Sequence, residues 1–282
     1  MTVAVTGAGG QLGRLVVEAL LRAGTTPVAI VRDPQKVADL ADRGVEVRQA
    51  SYDDPAALDA ALAGVDRVLL VSGNEFGARV AQHTNVIRAA ERAGVRLLAY
   101  TSIPRATGNP LILAQEHIGT EAALADSTVP HTILRNGWYW ENYLGGLGHA
   151  VETGVLHGAA GEGRVAGAAR ADYAEAAAKV LTTDGHEGRV YELGGDERLT
   201  YAELAQVISQ AAGKPVRYEN LAQADYSAAL EQAGLPAQYA AVLADADAGI
   251  ASGILDVDSG DLQKLIGRPS TPAVEVFTAA LT

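Results

Sequence analysis

The chain contains no cysteine, which excludes disulfides, thiolate metal sites and catalytic thiols. Aromatic residues are also scarce, at 5% of 282 residues with only two tryptophans, so any cluster of them carries information. Positive charge is short: 22 lysines and arginines face 34 acidic residues, for a formal net charge of −12. A polyanionic partner would be repelled, which argues against nucleic acid and anionic membrane surfaces. No apolar run reaches the roughly 20 residues that cross a bilayer. Strand-like sequence begins at Thr2, leaving no room for a leader, so no membrane insertion and a cytoplasmic location are expected. Metal-ligand spacings, a Gly-x-Ser-x-Gly elbow and a Walker loop are all missing, so metal chemistry, hydrolysis and phosphoryl transfer lack machinery. None of the ten tyrosines precedes a lysine by four residues, the pair with which short-chain reductases usually protonate a nascent alkoxide.

What is present begins at once. The short apolar run Val3–Thr6 leads into Gly7-Ala8-Gly9-Gly10-Gln11-Leu12-Gly13, and helical periodicity follows from Leu12 to Ala23. Strand, Gly-x-x-Gly-x-x-Gly and helix, in that order, form a Rossmann pyrophosphate grip. The first glycine makes the turn, the second admits the phosphates, and the third lets the helix pack close to the strand with its N–H groups facing the anion.

The pattern then alternates. Short aliphatic runs at Val28–Val31, Val45–Gln49, Arg67–Val71, Arg96–Thr101 and His131–Leu134 are separated by amphipathic stretches at Pro34–Ala41, Pro55–Ala63, Arg79–Ala93 and Leu111–Ala125. This predicts an α/β, Rossmann-type, doubly wound parallel sheet. Asp33-Pro34 and Asp54-Pro55 read as helix caps followed by proline at the first helical position.

After about residue 140 the rhythm loosens. Glycine-rich stretches precede a helix at Ala171–Leu181 and a strand at Arg189–Leu193. Thr200-x-x-Glu203 is a capping box. Later segments lack the glycine fingerprint and suggest a smaller C-terminal α+β cap. The expected division places residues 1–153 plus 165–195 in the nucleotide-binding domain and 154–164 plus 196–282 in the cap.

The second strand ends Val31-Arg32-Asp33. An acid here would bind a ribose 2′-hydroxyl and an arginine a 2′-phosphate. Asp33 already has work as a cap, and a planar guanidinium suits phosphate, so the reading favours NADP(H) over NAD(H). Ser72-Gly73 after strand four and Tyr100-Thr101 at the end of strand five are candidates for the ribose–nicotinamide half. His117 and Glu121, an i, i+4 pair, are the one candidate for acid–base work, with His117 as a proton relay. Trp138, Tyr139, Trp140 and Tyr143 crowd after strand six, introduced by Asn136 and Gly137 and interrupted by Glu141 and Asn142. That composition fits a wall for a flat apolar substrate, with Arg170 and Asp172 as candidates for its other side.

Together these residues resemble the NmrA-like atypical short-chain dehydrogenases, and among them the bacterial NAD(P)H:quinone oxidoreductases of the second type, with triphenylmethane reductase as a relative. The resemblance rests on Thr6-Gly-x-x-Gly-Gln-Leu-Gly13, Val31-Arg32, Tyr100-Thr-Ser102, Glu116-His117, Leu134-Arg-Asn-Gly-Trp-Tyr139, Glu141-Asn-Tyr143 and Arg170-Ala-Asp-Tyr173, and it reaches Gly185-His-Glu-Gly188 and Leu265-Ile-Gly267. It implies a flavin-free, NADPH-dependent reductase of quinones. Gly7 to Leu12 would hold the pyrophosphate and Arg32 the 2′-phosphate. Ser72, Gly73 and Thr101 would meet the sugar and nicotinamide side, and Asn136, Gly137 and Trp138 would flank the nicotinamide. Trp138, Tyr139, Asn142 and Arg170 would face the quinone. One departure is Ser51, where relatives commonly carry an aspartate near the adenine; Asp53 is close but out of register. Reduction of other conjugated acceptors such as triphenylmethane dyes, and a non-catalytic NADP(H)-sensing regulator, are the alternatives. A homo-oligomer is left open.

Overall fold

In the computed structural model, which describes all 282 residues, the chain divides into two compact units. The first comprises Met1–Ile103, Glu116–Arg135 and Ala171–Tyr191. The second comprises Pro104–Gln115, Asn136–Arg170 and Glu192–Thr282.

Strands β1 (Val3–Thr6), β2 (Val28–Val31), β3 (Glu46–Gln49), β4 (Arg67–Leu70), β5 (Leu97–Ser102) and β6 (His131–Asn136) are followed in the chain by β7 (Trp138–Tyr139), β8 (Val155–Gly158), β9 (Arg164–Ala168), β10 (Val190–Leu193), β11 (Arg198–Thr200) and β12 (Arg217–Asn220). The main sheet has the order β10-β6-β5-β4-β1-β2-β3. Its ladders from β3 through β6 are all parallel. Strands β1, β2 and β4 are buried along their whole length, as parallel strands covered by helices on both faces must be. The edge strand β3 is exposed at Glu46 and Gln49 and half-buried at Val47 and Arg48 between them. The order reverses between β1 and β4, which places a ligand crevice outside the carboxyl ends of those two strands. The first unit's core is aliphatic, built on Ile30, Leu58, Leu62, Leu70, Ile87 and Leu98 with the fully buried Tyr100.

The expected caps are made. Asp33 accepts from Gln35 N–H at 3.0 Å and Asp54 from Ala57 N–H at 3.0 Å. After Asp33, a 3-10 turn at Pro34–Val37 and a short helix at Ala38–Asp42 replace the single helix expected there.

The second unit has two small sheets, ordered β11-β9-β7 and β12-β8, with the helices Leu144–Thr153, Tyr201–Ala212, Ala237–Ala251 and Ala273–Leu281. The capping box at Thr200 and Glu203 is complete in both directions. Its core joins Trp140, Tyr201, Leu204, Ile208, Ile250 and Phe277. Residues 104–115, 136–153, 165–170 and 192–195, expected with the nucleotide-binding domain, fall in the second unit. Trp140 packs into that core, and β9 pairs with both β7 and β11.

Candidate functional site: a glycine cradle and an aromatic block

In the first unit β1 runs into Gly7, whose φ of +59° lies in the left-handed region that glycine occupies without strain. Gly10 N–H closes the turn on the Gly7 carbonyl at 2.9 Å, and Gly10 is the N-cap of the helix Gln11–Arg22. That helix has neither a capping side chain nor an acidic residue in its first turn. The open N–H groups and the positive end of the helix dipole therefore favour an anion.

The glycines are not equivalent. A Cβ on Gly13 would stand 2.3 Å from the Gly7 carbonyl oxygen, so close packing of helix on loop demands its absence. A Cβ on Gly9 would meet Lys36 Cβ at 3.5 Å, Val31 Cγ1 at 3.7 Å and Lys36 Cδ at 3.9 Å, all ordinary contacts. Nothing within the protein requires Gly9 to be bare, whereas a pyrophosphate approaching the backbone would.

Beneath the loop, the Thr6 hydroxyl is joined to the Tyr52 hydroxyl and to Leu69 C=O, and Tyr52 O–H donates to Val71 C=O at 2.8 Å. Burial pushes the Tyr52 hydroxyl pKa up, so it remains a neutral donor. Sequence reasoning considered Ser51 and Asp53 on either side and missed Tyr52. The available signal was a lone tyrosine just beyond a strand's carboxyl end.

The loop after β4 is fixed by two bonds. Thr101 Oγ1 accepts from Ser72 N–H at 2.9 Å, and His83 Nε2 accepts from Gly73 N–H at 3.0 Å. His83 is fully buried, and its Nδ1 lies 2.9 Å from Thr120 Oγ1. Burial, with Arg79 nearby, lowers its pKa to about 3, so the ring is neutral. Its role as a loop anchor was not foreseen.

His117 and Glu121 do not act as a pair. The carboxylate of Glu121 is engaged by Arg135, with Nη2–Oε2 at 2.6 Å, and by Ser102 O–H at 2.6 Å. His117 Nδ1 instead lies 2.8 Å from the hydroxyl of the buried Tyr100. Burial again lowers its pKa to about 3. A neutral imidazole at pH 7 has no imidazolium proton to give.

In the second unit Asn136 is 5% exposed. Its Nδ2 donates to the Tyr139 hydroxyl at 3.2 Å, while its Oδ1 has no partner in the protein. An orphaned buried acceptor of this kind costs about 1–3 kcal/mol unless a ligand donor meets it. Gly137 N–H donates to Leu193 C=O at 2.8 Å. The guanidinium of Arg170 lies 4.8 Å from the Tyr139 ring centroid, and Arg170 N–H donates to the Glu141 carboxylate. Asn142 is exposed and Trp138 is half-buried.

The aromatic block is thus split. Trp140 is fully buried in the core, where its ring would be 2.5 Å from a Cβ on Gly167, so it cannot belong to the substrate wall expected of it. Asp172 is also fully buried and forms no open side of a pocket.

The buried carboxyl of Asp247 was not anticipated. It accepts from Tyr201 O–H and, at 2.8 Å, from Ala159 N–H; Tyr201 in turn accepts from Tyr143 O–H at 3.3 Å. Burial outweighs these bonds and pushes the Asp247 pKa from 3.8 up to about 6. Because the folded-state value is raised, the group's contribution to stability is full below about pH 4 and is lost as pH rises through about 6. The stability of the wild type relative to Asp247→Asn should therefore fall by about 2 kcal/mol between pH 4 and pH 7. Urea unfolding at a series of pH values measures it. A flat or rising difference contradicts the assignment.

A family model described as NmrA-like family matches residues 1–249. The chain belongs to the NmrA-like family. Among curated members, this NmrA-like chain is 53% identical to Quinone oxidoreductase 2 of Escherichia coli strain K12, over 97% of this chain and 96% of that protein. The crystal structure of the NADPH-dependent quinone oxidoreductase of Escherichia coli complexed with NADPH matches with a TM-score of 0.96 and 51% identity, covering both chains fully. The Citrobacter sp. triphenylmethane reductase complexed with NADP(H) matches with a TM-score of 0.94 and 38% identity, again covering both chains fully. No helix of this NmrA-like chain is long and apolar enough to cross a membrane.

Proposed function

We propose that this chain is a cytoplasmic, NADPH-dependent reductase that passes hydride to quinones without a flavin. The observation that carries the reading is its similarity to a quinone oxidoreductase across nearly the whole of both chains. The cradle gives that similarity physical content. Gly7, Ala8, Gly9, Gly10, Gln11 and Leu12 form an uncapped anion site, and the bare Cα of Gly9 leaves room for phosphate. Arg32 is assigned to the 2′-phosphate, and Ser72, Gly73, Tyr100 and Thr101 to the ribose and nicotinamide side. In the second unit, Asn136, Gly137 and Trp138 are assigned to the nicotinamide. The unpartnered Asn136 Oδ1 supports the fit.

When bound, the nicotinamide supplies the hydride. The protein's part is to position and to exclude water. Trp138, Tyr139, Asn142 and Arg170 are assigned to the acceptor, with the Tyr139 ring held under the Arg170 guanidinium. A quinone that takes hydride becomes a stabilised hydroquinone anion, which water can protonate. A dedicated acid is less necessary than for a simple ketone, in keeping with the neutral rings of His83 and His117.

The test is NADPH consumption by flavin-free protein with a panel of quinones, triphenylmethane dyes and simple ketones. Turnover with quinones and none with ketones is expected. Tight NADPH binding without turnover on any acceptor would instead favour the sensor reading.

A further inference from the structure

The guanidinium assigned to the 2′-phosphate is already occupied by an anion of the protein itself. Arg32 Nη1 pairs with Glu75 Oε1, from the loop that follows β4. Glu75 is held in place for this. Its Oε2 accepts from Gln82 Nε2 at 2.8 Å, and the same amide donates to both carboxylate oxygens of Asp53 at 3.2 and 3.1 Å. Gln82 is only 4% exposed, so the donor that orients both acids is a fixed, buried group. Two carboxylates from two different loops share one amide, and Arg32 is the cation bonded to one of them. The bond from Gln82, and then that from Arg32, hold the Glu75 carboxyl below the usual range. It is an anion at neutral pH.

The consequences for the two nicotinamide nucleotides are opposite. A 2′-phosphate must displace the Glu75 carboxylate from Arg32 and then remain beside it, anion against anion. A 2′-hydroxyl needs no guanidinium, and it can donate to a carboxylate. We propose that Glu75, oriented by Gln82, is a specificity-determining residue: it weakens the preference for the 2′-phosphorylated nucleotide by competing for Arg32, and it offers an acceptor to the 2′-hydroxyl of the unphosphorylated one. This rests on the assignment of Arg32 to the 2′-phosphate. One exposed ion pair thereby gives the site two answers, and the reductase draws on NADH as well as NADPH.

Glu75→Gln removes the charge, keeps an oxygen for Gln82 and lies on an exposed part of the loop. Binding of NADPH and NADH to the full chain is titrated by nicotinamide fluorescence for the wild type, Glu75→Gln, Arg32→Ala and the double variant. In Glu75→Gln the ratio of the NADH to the NADPH dissociation constant should rise about threefold to tenfold, as fits release of an exposed ion pair. The NADPH gain should vanish in the Arg32→Ala background and shrink at high salt. An unchanged ratio overturns the proposal, as does a gain that persists without Arg32. The Arg32→Ala variant alone separates the two ideas. Selective loss of NADPH with a silent Glu75→Gln removes only the role of Glu75, whereas equal loss of both nucleotides removes the 2′-phosphate assignment itself.

Discussion

Gly9→Ala is expected to melt at the wild-type temperature and yet bind NADPH about 10- to 100-fold more weakly, whereas Gly13→Ala should lose both stability and binding. The contrast follows from what each new methyl would meet. At Gly9 the neighbours are Lys36 and Val31 side chains at 3.5 and 3.7 Å, so the folded protein has room. The methyl would stand over the face that the phosphates are proposed to approach, where losing one close contact of about 1.4–2.8 kcal/mol gives the stated factor. At Gly13 the methyl would lie 2.3 Å from the Gly7 carbonyl oxygen, a backbone atom that cannot rotate away. Strain of about 1–3 kcal/mol is expected, released by moving the helix off the loop. Thermal melts with and without NADPH, together with equilibrium titration, decide the matter. Full NADPH affinity in Gly9→Ala would falsify the placement of phosphate at this loop.

The two tryptophans should separate in the same way. Trp140→Ala is expected to destabilise the protein by about 3–5 kcal/mol, since it removes the largest fully buried side chain of the second unit's core. The fit at this point is tight: a Cβ on Gly167 would stand 2.5 Å from the indole. Trp138→Ala removes a half-buried ring and should cost less stability. Its expected effect is on turnover, with kcat/KM for quinones reduced about tenfold or more if the ring flanks the reacting groups. Denaturant unfolding and steady-state kinetics on both variants check this. An inert Trp138→Ala, with normal kcat/KM, would remove the indole from the proposed acceptor site.

Much of this was legible because local chemistry repeats along the first part of the chain. Strands β1, β2 and β4 are short aliphatic runs buried on both faces, and Asp33, Asp54 and Thr200 cap by bonds that span two or three residues. Such signals lie within one turn or one strand, so a window of sequence contains them. The strands β7, β8, β9 and β11 were not legible. They are short, and β8 and β9 carry glycines, Gly158 and Gly167, that resemble loop residues. Gly167 and Gly195 are glycines for another reason: each lies against a side chain or carbonyl distant in sequence, Trp140 for one and Gly167 for the other, where a Cβ would be 2.5 and 1.8 Å away.

The same division runs through the candidate site. The glycine spacing, the arginine at the end of the second strand and the Asn-Gly-Trp-Tyr block could be read directly, because each is a contiguous motif. That Tyr52 supports Thr6, that His83 anchors Gly73, that His117 turns to Tyr100 rather than Glu121, and that Asp247 is buried beneath Tyr201 are pairings across 10 to 46 residues. No periodicity encodes them.

Sequence alone determined that this chain makes a parallel α/β sheet whose first loop is a glycine turn opening an uncapped helix, because backbone conformation and burial of a strand are set by the residues that compose it. Tertiary structure alone decided which cation is already paired, which histidines are neutral and which indole is sealed away. Charge state and access depend on what other segments bring within a few ångströms, and that is fixed only when the chain has closed upon itself.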